Sequence, residues 1–209
     1  IYSDFIKGKK NIADNEQMRR DITYLYSLNF ADIVFADKAI LFEGDTERMY
    51  IQALLKESKN DQFEQLRRQY IAFIQVGGAY ASAYIPLLHV LGIPSLIITD
   101  IDYKSNISDA DSDDSDDEIS DAETLTAPNK QIETTNETLK KIWIHNDESK
   151  ELSEQMHSYY TVNAKEDIVI QVKGFNNIAV VTQSKFDGFG KTLEDALLYK
   201  LIYNLRKSG

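Results

Sequence analysis

The chain contains the segment Asp37-Lys-Ala-Ile-Leu-Phe-Glu-Gly-Asp-Thr-Glu-Arg-Met-Tyr50, which has the pattern of a short strand followed directly by a helix. Its apolar run predicts the strand, Glu43-Gly44 predicts a tight exit, and Asp45 is expected to be the N-cap of the helix. Open α/β sheets place their sites at the carboxyl ends of strands. Glu43 is therefore a candidate functional residue, and Glu47, in the first helical turn, is expected to point toward the same crevice.

Apolar runs alternate with helical patterns along the first half of the chain. Strands are predicted at Lys38–Phe42, 70–76 and 95–100, with helices at 45–58 and 79–91 between them. Short connections of this kind are typical of a doubly wound α/β fold with a mostly parallel central sheet flanked by helices. Two later runs, 168–172 and 178–182, predict a further parallel strand and an edge strand.

Two helices are predicted in the second half of the chain. One covers 136–144, with Thr135 and Asn136 as its capping residues. The other begins with the capping-box pattern Thr192-Leu-Glu-Asp195 and carries an apolar stripe that is expected to be buried. The stripe comprises Leu193, Ala196, Leu197, Leu201, Ile202 and Leu205.

Composition excludes several classes of protein. The chain has 209 residues and no cysteine, which excludes a disulfide framework, cysteine-ligated zinc and thiol chemistry. No apolar run is long enough to span a bilayer and no signal peptide is visible, so a soluble, cytoplasmic protein without membrane contact is expected. The net charge of -11 argues against a broad basic surface that would bind nucleic acid through phosphate contacts alone.

Much of the negative charge lies in a low-complexity acidic segment, residues 109–123. Such a composition cannot bury enough apolar surface to fold, and we expect a solvated loop. The alternation of Asp109, Asp111 and Asp113 suggests an EF-hand, but no glycine stands at the turn position, which rejects that interpretation. Acids that bind a divalent cation also cease to repel phosphate, so the charge does not exclude a nucleic-acid substrate.

A second acidic motif, Thr99-Asp100-Ile-Asp102, ends the third predicted strand. Along an extended backbone, alternation would put the carboxylates of Asp100 and Asp102 on one side. Together with Glu43 and Glu47 they would form an all-oxygen set that requires a cation, and Mg²⁺ or Mn²⁺ suits it best. One or two such ions support phosphodiester hydrolysis, so the residues predict metal-dependent phosphoryl chemistry.

Taken in their order along the chain, these motifs resemble the TOPRIM domain of topoisomerases, primases and nucleases of the overcoming-lysogenisation-defect (OLD) family. The run 29–47 is similar to the OLD passage from linker into first strand, and Gly92-Ile-Pro94 is similar to the block before its Asp-x-Asp strand. Thr135-Asn136 and Lys191-Thr-Leu-Glu194 resemble later blocks of the family. The resemblance covers about Phe30 to the end, and four blocks in order are more specific than any one of them.

The resemblance implies roles for individual residues. Lys191 would stabilise the charged transition state, and the catalytic group would consist of this lysine with Glu43, Asp100 and Asp102. The acidic insertion departs from the family pattern, so any ligand between Asp102 and Asn136, such as Asp109 or Asp111, is left unassigned. The implied metal ligands are Glu43, Glu47, Asp100, Asp102 and Glu194.

The resemblance also implies a domain organisation and partners. Residues 1–36 would be a helix and linker from an upstream domain, and residues 37–209 a TOPRIM nuclease domain with an acidic insertion at about 105–130. The upstream domain would be an ABC-type ATPase, missing here, through which an ATP-dependent protein forms homo-oligomers. DNA would be the substrate, and antiviral defence of the Gabija or retron-effector type the setting. A helicase or another defence protein is left open as a partner.

Two other functions compete with the nuclease. In a haloacid-dehalogenase-like phosphatase Asp100 would be the nucleophile, but Lys104 stands where that pattern has threonine or valine, and the motif follows the third strand instead of the first. In a non-catalytic regulatory module, the acidic segment would bind metal or a partner protein. At single positions, Glu47 and Glu194 could be ordinary first-turn acids and Lys191 a surface lysine.

Overall fold

The computed structural model describes residues 29–77, 80–105, 132–156, 169–183 and 192–208, together with residues 20 and 23. The acidic segment 109–123 and Lys191 lie outside these ranges, as does most of the predicted N-terminal helix and linker, residues 1–36. No helix in the described ranges is long and apolar enough to cross a membrane.

The described ranges contain strands and helices in alternation. The strands are β1 Lys38–Phe42, β2 Ile71–Gln75, β3 Ser95–Ile98, β4 Tyr103–Ser105, β5 Ile132–Thr134, β6 Val169–Gln171 and β7 Ile178–Val181. The helices are α1 Asp45–Glu57, α2 Asp61–Arg67, α3 Ala81–Val90, α4 Glu137–Asn146 and α5 Leu193–Ser208. Residues 29–34 and 152–156 are also helical.

Five strands form one sheet in the order β2-β1-β3-β7-β6. The first strand lies in the middle of three and pairs in parallel with β2, Ile40 opposite Phe73, and with β3, Ile40 opposite Leu96. The fold-class prediction, an α/β protein with a mostly parallel sheet flanked by helices, is therefore confirmed. A second sheet, β4 paired antiparallel with β5, was not predicted. Its strands flank the predicted acidic insertion.

The chain divides into two compact units. The first comprises Ile1–Ile98 with Gln171–Val180, and the second comprises Thr99–Ile170 with Val181–Gly209. In the first unit, alternate strand residues Ala39, Leu41, Ala72, Ile74 and Ile97 are fully or almost fully buried, as the two-residue period of a strand requires. Each buried leucine or isoleucine contributes roughly 1.5–3 kcal/mol, so this face anchors the sheet. Helix α3 adds Tyr84, Ile85 and Leu88 to the core.

In the second unit, α4 matches its prediction more closely than α5. Asn136 is the N-cap of α4, and the apolar residues Leu139, Ile142 and Trp143 are buried. At the start of α5, Thr192 Oγ1 accepts a hydrogen bond from the backbone N–H of Asp195, as a capping box predicts. The buried stripe ends early, however. Ala196 is buried, whereas Leu201, Ile202 and Leu205 are 41–64% exposed, so the prediction for these three residues was wrong.

Candidate functional site

The first unit carries Glu43 and Glu47 on the turn from β1 into α1. Glu43 directly follows the strand and is half-buried, and its carbonyl oxygen lies 3.5 Å from Nε2 of Gln75. Gly44 is the N-cap of α1, and Oε2 of Glu47 accepts a hydrogen bond of 2.9 Å from its backbone N–H. The prediction of Asp45 as N-cap was therefore wrong by one residue, because the glutamate carboxylate reaches back to satisfy the cap N–H.

At position 44, limited space and not backbone conformation favours glycine. Its φ of -131° is one that any residue adopts. A Cβ atom there would lie 3.0 Å from Oε2 of Glu47, closer than side chains normally approach. Because the Glu47 side chain is only 6% exposed, the oxygen has little room to withdraw. Gly44 thus leaves room for the buried carboxylate of Glu47 to pack against the turn that follows β1.

The second unit carries Asp100 and Asp102 in a loop. Strand β3 ends at Ile98, two residues earlier than predicted, and Asp102 has a φ of 45°, in the left-handed region. Alternation along an extended backbone therefore does not apply to residues 99–102, and that premise for placing the two carboxylates was wrong. A left-handed conformation at a non-glycine residue costs about 1–2 kcal/mol and persists only where surrounding contacts enforce it.

Asn136 supplies several of these contacts. Its Nδ2 donates to Oγ1 of Thr99 at 2.7 Å and to the carbonyl of Asp100 at 3.0 Å. Its Oδ1 accepts from the backbone N–H groups of Thr138 and Leu139, at 3.0 and 3.2 Å. The side chain is 4% exposed. One amide group therefore caps α4 and also binds residues 99–102, the aspartate loop, to the start of that helix.

Two threonines complete the attachment of the loop backbone. Oγ1 of Thr134 donates to the carbonyl of Ile101. The backbone N–H and Oγ1 of Thr135 both donate to the carbonyl of Asp102, at 2.6 and 2.8 Å. With Asn136, each carbonyl from residue 100 to residue 102 thus receives a hydrogen bond. These contacts over-determine the loop conformation and explain why the left-handed φ is retained.

Gln183, two residues beyond β7, holds the same loop from another segment. Its Oε1 accepts a hydrogen bond of 3.0 Å from the backbone N–H of Ile101, and its Nε2 donates to Oδ1 of Asp100. The side chain is 6% exposed. Sequence reasoning did not find this residue. The available signal was a long amide side chain immediately after a β-branched run, where the chain leaves a buried strand.

The electrostatics of the loop centre on Asp102. Burial raises the pKa of its carboxyl above the ordinary value, and a hydrogen bond with the side chain of Asn136 opposes that rise. The charged form is thus less favourable here than in water. A cation beside the carboxylate would favour the charged form.

Oxygen donors are available in both units, and their chemistry fits a hard divalent cation such as Mg²⁺ or Mn²⁺. Within the part of the chain that the structure describes, no three histidine or acidic side chains are close enough together to hold a metal ion. Glu194 lies exposed in the first turn of α5, and Lys191 is outside the described residues. In the second unit, one hydrogen-bond network thus holds the loop that carries Asp100 and Asp102. In the first unit, a hydrogen bond holds Glu47 to the turn at Glu43-Gly44.

Comparison with known proteins agrees with this α/β arrangement. Residues 34–102 match the family model described as overcoming lysogenization defect protein-like, TOPRIM domain. Over 157 residues the chain is 33% identical to Endonuclease GajA of Bacillus cereus (strain HuB5-5). The match covers 75% of this chain but only 20% of that relative. No solved structure matches. Residues 34–102 of this chain therefore belong to the OLD-like TOPRIM domain family.

Proposed function

We propose that the chain is the nuclease part of an OLD-family protein and hydrolyses DNA phosphodiesters with one or two Mg²⁺ or Mn²⁺ ions. The observation that carries the proposal is the buried polar network around Asp100 and Asp102. Four side chains from two segments hold this acidic loop in a costly backbone conformation, and such strain is typical of functional sites. The relative named as an endonuclease supports the same class of reaction.

Asp100 and Asp102 are the residues proposed to hold the cation in the second unit. Gln183 orients the carboxylate of Asp100, and the hydrogen bonds to the carbonyls of residues 100–102 hold the backbone that carries Asp102. A bound divalent cation would supply the Lewis acid for phosphodiester hydrolysis. The task of the chain's own residues is to fix oxygen ligands before the substrate arrives, so that little reorganisation accompanies the reaction.

The remaining roles are proposed from the family resemblance. Glu43, Glu47 and Glu194 would be further ligands, and Lys191 would stabilise negative charge at the scissile phosphate. For Glu47 the structure shows a helix-capping contact through Oε2, which leaves Oε1 as the oxygen for a cation. Glu194 is exposed on α5, and its role, like that of Lys191, depends on the resemblance alone.

The substrate and the biological role are likewise proposed from the family resemblance, because the chain spans only about one fifth of the curated relative it matches. DNA is the proposed substrate, and the proposed complete protein is a homo-oligomeric, ATP-dependent, cytoplasmic enzyme with an upstream ABC-type ATPase domain. Antiviral defence is the proposed role. A helicase or other defence protein would then act beside it.

The test is cleavage of supercoiled plasmid in Mg²⁺, Mn²⁺ or EDTA. Wild type is expected to nick or linearise the plasmid only with a divalent cation, and Asp102→Ala to reduce the rate at least about 100-fold. Asp61→Ala, which removes an exposed acid at the start of α2, is the matched control and should cleave like wild type. Mn²⁺ binding without any cleavage by wild type would favour the regulatory module instead.

A further inference from the structure

Gln183 uses both ends of its side-chain amide on one loop. The carbonyl end accepts from the backbone N–H of Ile101, at 3.0 Å, and the amino end donates to the carboxylate of Asp100. Both contacts lie within the second unit. Because the two ends of an amide differ chemically, the pair of bonds fixes the orientation of Gln183 as well as its position.

Because Gln183 is buried, both of its hydrogen bonds restrain the loop strongly. With the side chain 6% exposed, water cannot easily replace either partner. A hydrogen bond to a charged group is stronger than one between neutral groups, so the bond to Asp100 restrains the rotation of that carboxylate. The bond to Ile101 N–H fixes the backbone between the two aspartates. Gln183 therefore sets the direction in which Asp100 presents its second oxygen.

We infer that Gln183 is a positioning residue for the cation site, acting through Asp100 and not by contact with the cation or the substrate. The inference rests on the proposed function, since it assumes that Asp100 binds a divalent cation. Partners that orient metal ligands typically change metal affinity by about 10–100-fold when they are replaced. Loss of Gln183 is expected to weaken Mn²⁺ binding within that range.

The experiment measures Mn²⁺ affinity of the whole chain by titration, with free Mn²⁺ followed by electron paramagnetic resonance and without any DNA. Gln183→Met keeps the length of the side chain and removes both hydrogen bonds. Gln155→Met is the matched control, because the side-chain amide of Gln155 also makes two hydrogen bonds, donating to two backbone carbonyls in the turn 147–150 at 2.7 and 3.2 Å. Thermal unfolding without metal measures the loss of stability in each variant.

Gln183→Met is expected to bind Mn²⁺ about 10–100-fold more weakly than wild type, and Gln155→Met to bind it equally well. Equal affinity in wild type and Gln183→Met would overturn the inference, as would equal weakening in both variants. If Gln183→Met does not fold, Gln183→Asn replaces it. That side chain is one methylene shorter and cannot reach both partners, so it too should weaken binding.

Cleavage assays separate this inference from the proposed function. If wild type binds Mn²⁺ but does not cleave DNA, the proposed function fails, and weaker Mn²⁺ binding by Gln183→Met still supports the positioning role. If wild type binds no Mn²⁺ at all, the cation site and the positioning role are both overturned. The double variant Asp100→Asn with Gln183→Met should bind no more weakly than Asp100→Asn alone, because Gln183 acts through Asp100.

Discussion

Oε2 of Glu47 accepts a hydrogen bond from the backbone N–H of Gly44 at 2.9 Å, and a methyl group on Gly44 would lie 3.0 Å from the same oxygen. This one contact thus explains why Gly44 and Glu47 occur together in the turn from β1 into α1. The glutamate satisfies a backbone donor that the helix leaves unpaired, and the glycine makes room for it. The same turn presents Glu43, the first candidate ligand, at the end of β1.

Gly44→Ala should therefore destabilise the protein by about 1–2 kcal/mol, because the new Cβ displaces the capping carboxylate. Urea denaturation measures the change. Gly77→Ala is the control, since the nearest atom to a Cβ at that glycine is 4.0 Å away. That variant should be neutral or slightly more stable. Equal destabilisation of both variants would contradict the steric explanation for Gly44.

The capping and metal-binding roles of Glu47 can be separated by substitution. Glu47→Gln keeps a side-chain oxygen that accepts from Gly44, so its unfolding free energy should remain within about 0.5 kcal/mol of wild type, whereas Glu47→Ala should lose about 1 kcal/mol. Because a neutral amide is a poorer ligand than a carboxylate, we also expect Glu47→Gln to bind Mn²⁺ more weakly. Unchanged Mn²⁺ affinity would leave Glu47 with a capping role alone.

Asn136 should contribute more stability than an ordinary helix cap. Asn136→Ala removes the cap of α4 together with the buried bonds to Thr99 and Asp100, for an expected loss of about 2–4 kcal/mol. Thr192→Ala removes the cap of α5, and should cost only about 1 kcal/mol. Chemical denaturation compares the two. Similar losses would show that the contacts of Asn136 with the aspartate loop add little.

The left-handed conformation of Asp102 predicts that glycine is a less destabilising replacement than alanine at this position, the reverse of the usual order. Asp102→Gly should be more stable than Asp102→Ala by about 1 kcal/mol, because glycine adopts a φ of 45° without strain. At Asp100, which does not have a positive φ, Asp100→Gly should instead be less stable than Asp100→Ala by about 0.5–1 kcal/mol. Denaturation midpoints of the four variants test this. The same order at both positions would mean that the loop relaxes when the carboxylate is lost.

The sequence predicted the sheet well because its strands have simple patterns. Lys38–Phe42 was placed with its observed bounds, and the parallel architecture followed from short strand–helix–strand spacings. Asn136 was recognised as a cap because its residue type and position before an apolar helix are typical. These features depend on neighbours in the chain, which a sequence shows directly.

The aspartate loop was predicted less well because long-range hydrogen bonds shape it. Nothing local to Asp102 indicates a positive φ, since the bonds that enforce it come from residues 134–136 and from Gln183. Likewise, the apolar pattern of α5 predicted burial at Leu201 and Leu205, but both are exposed. A helical period shows which residues share a face and not what covers that face.

The location of the cation is the central claim, and iron-directed cleavage of the polypeptide tests it most directly. Fe²⁺ substituted for Mg²⁺, with ascorbate and peroxide, generates radicals that cut the backbone beside the bound ion, and mass spectrometry maps the cuts. We predict cuts next to Asp100–Asp102, suppressed by excess Mn²⁺ and lost in the double variant Asp100→Ala with Asp102→Ala. Cuts confined to the acidic segment 109–123, unchanged in that variant, would contradict the account.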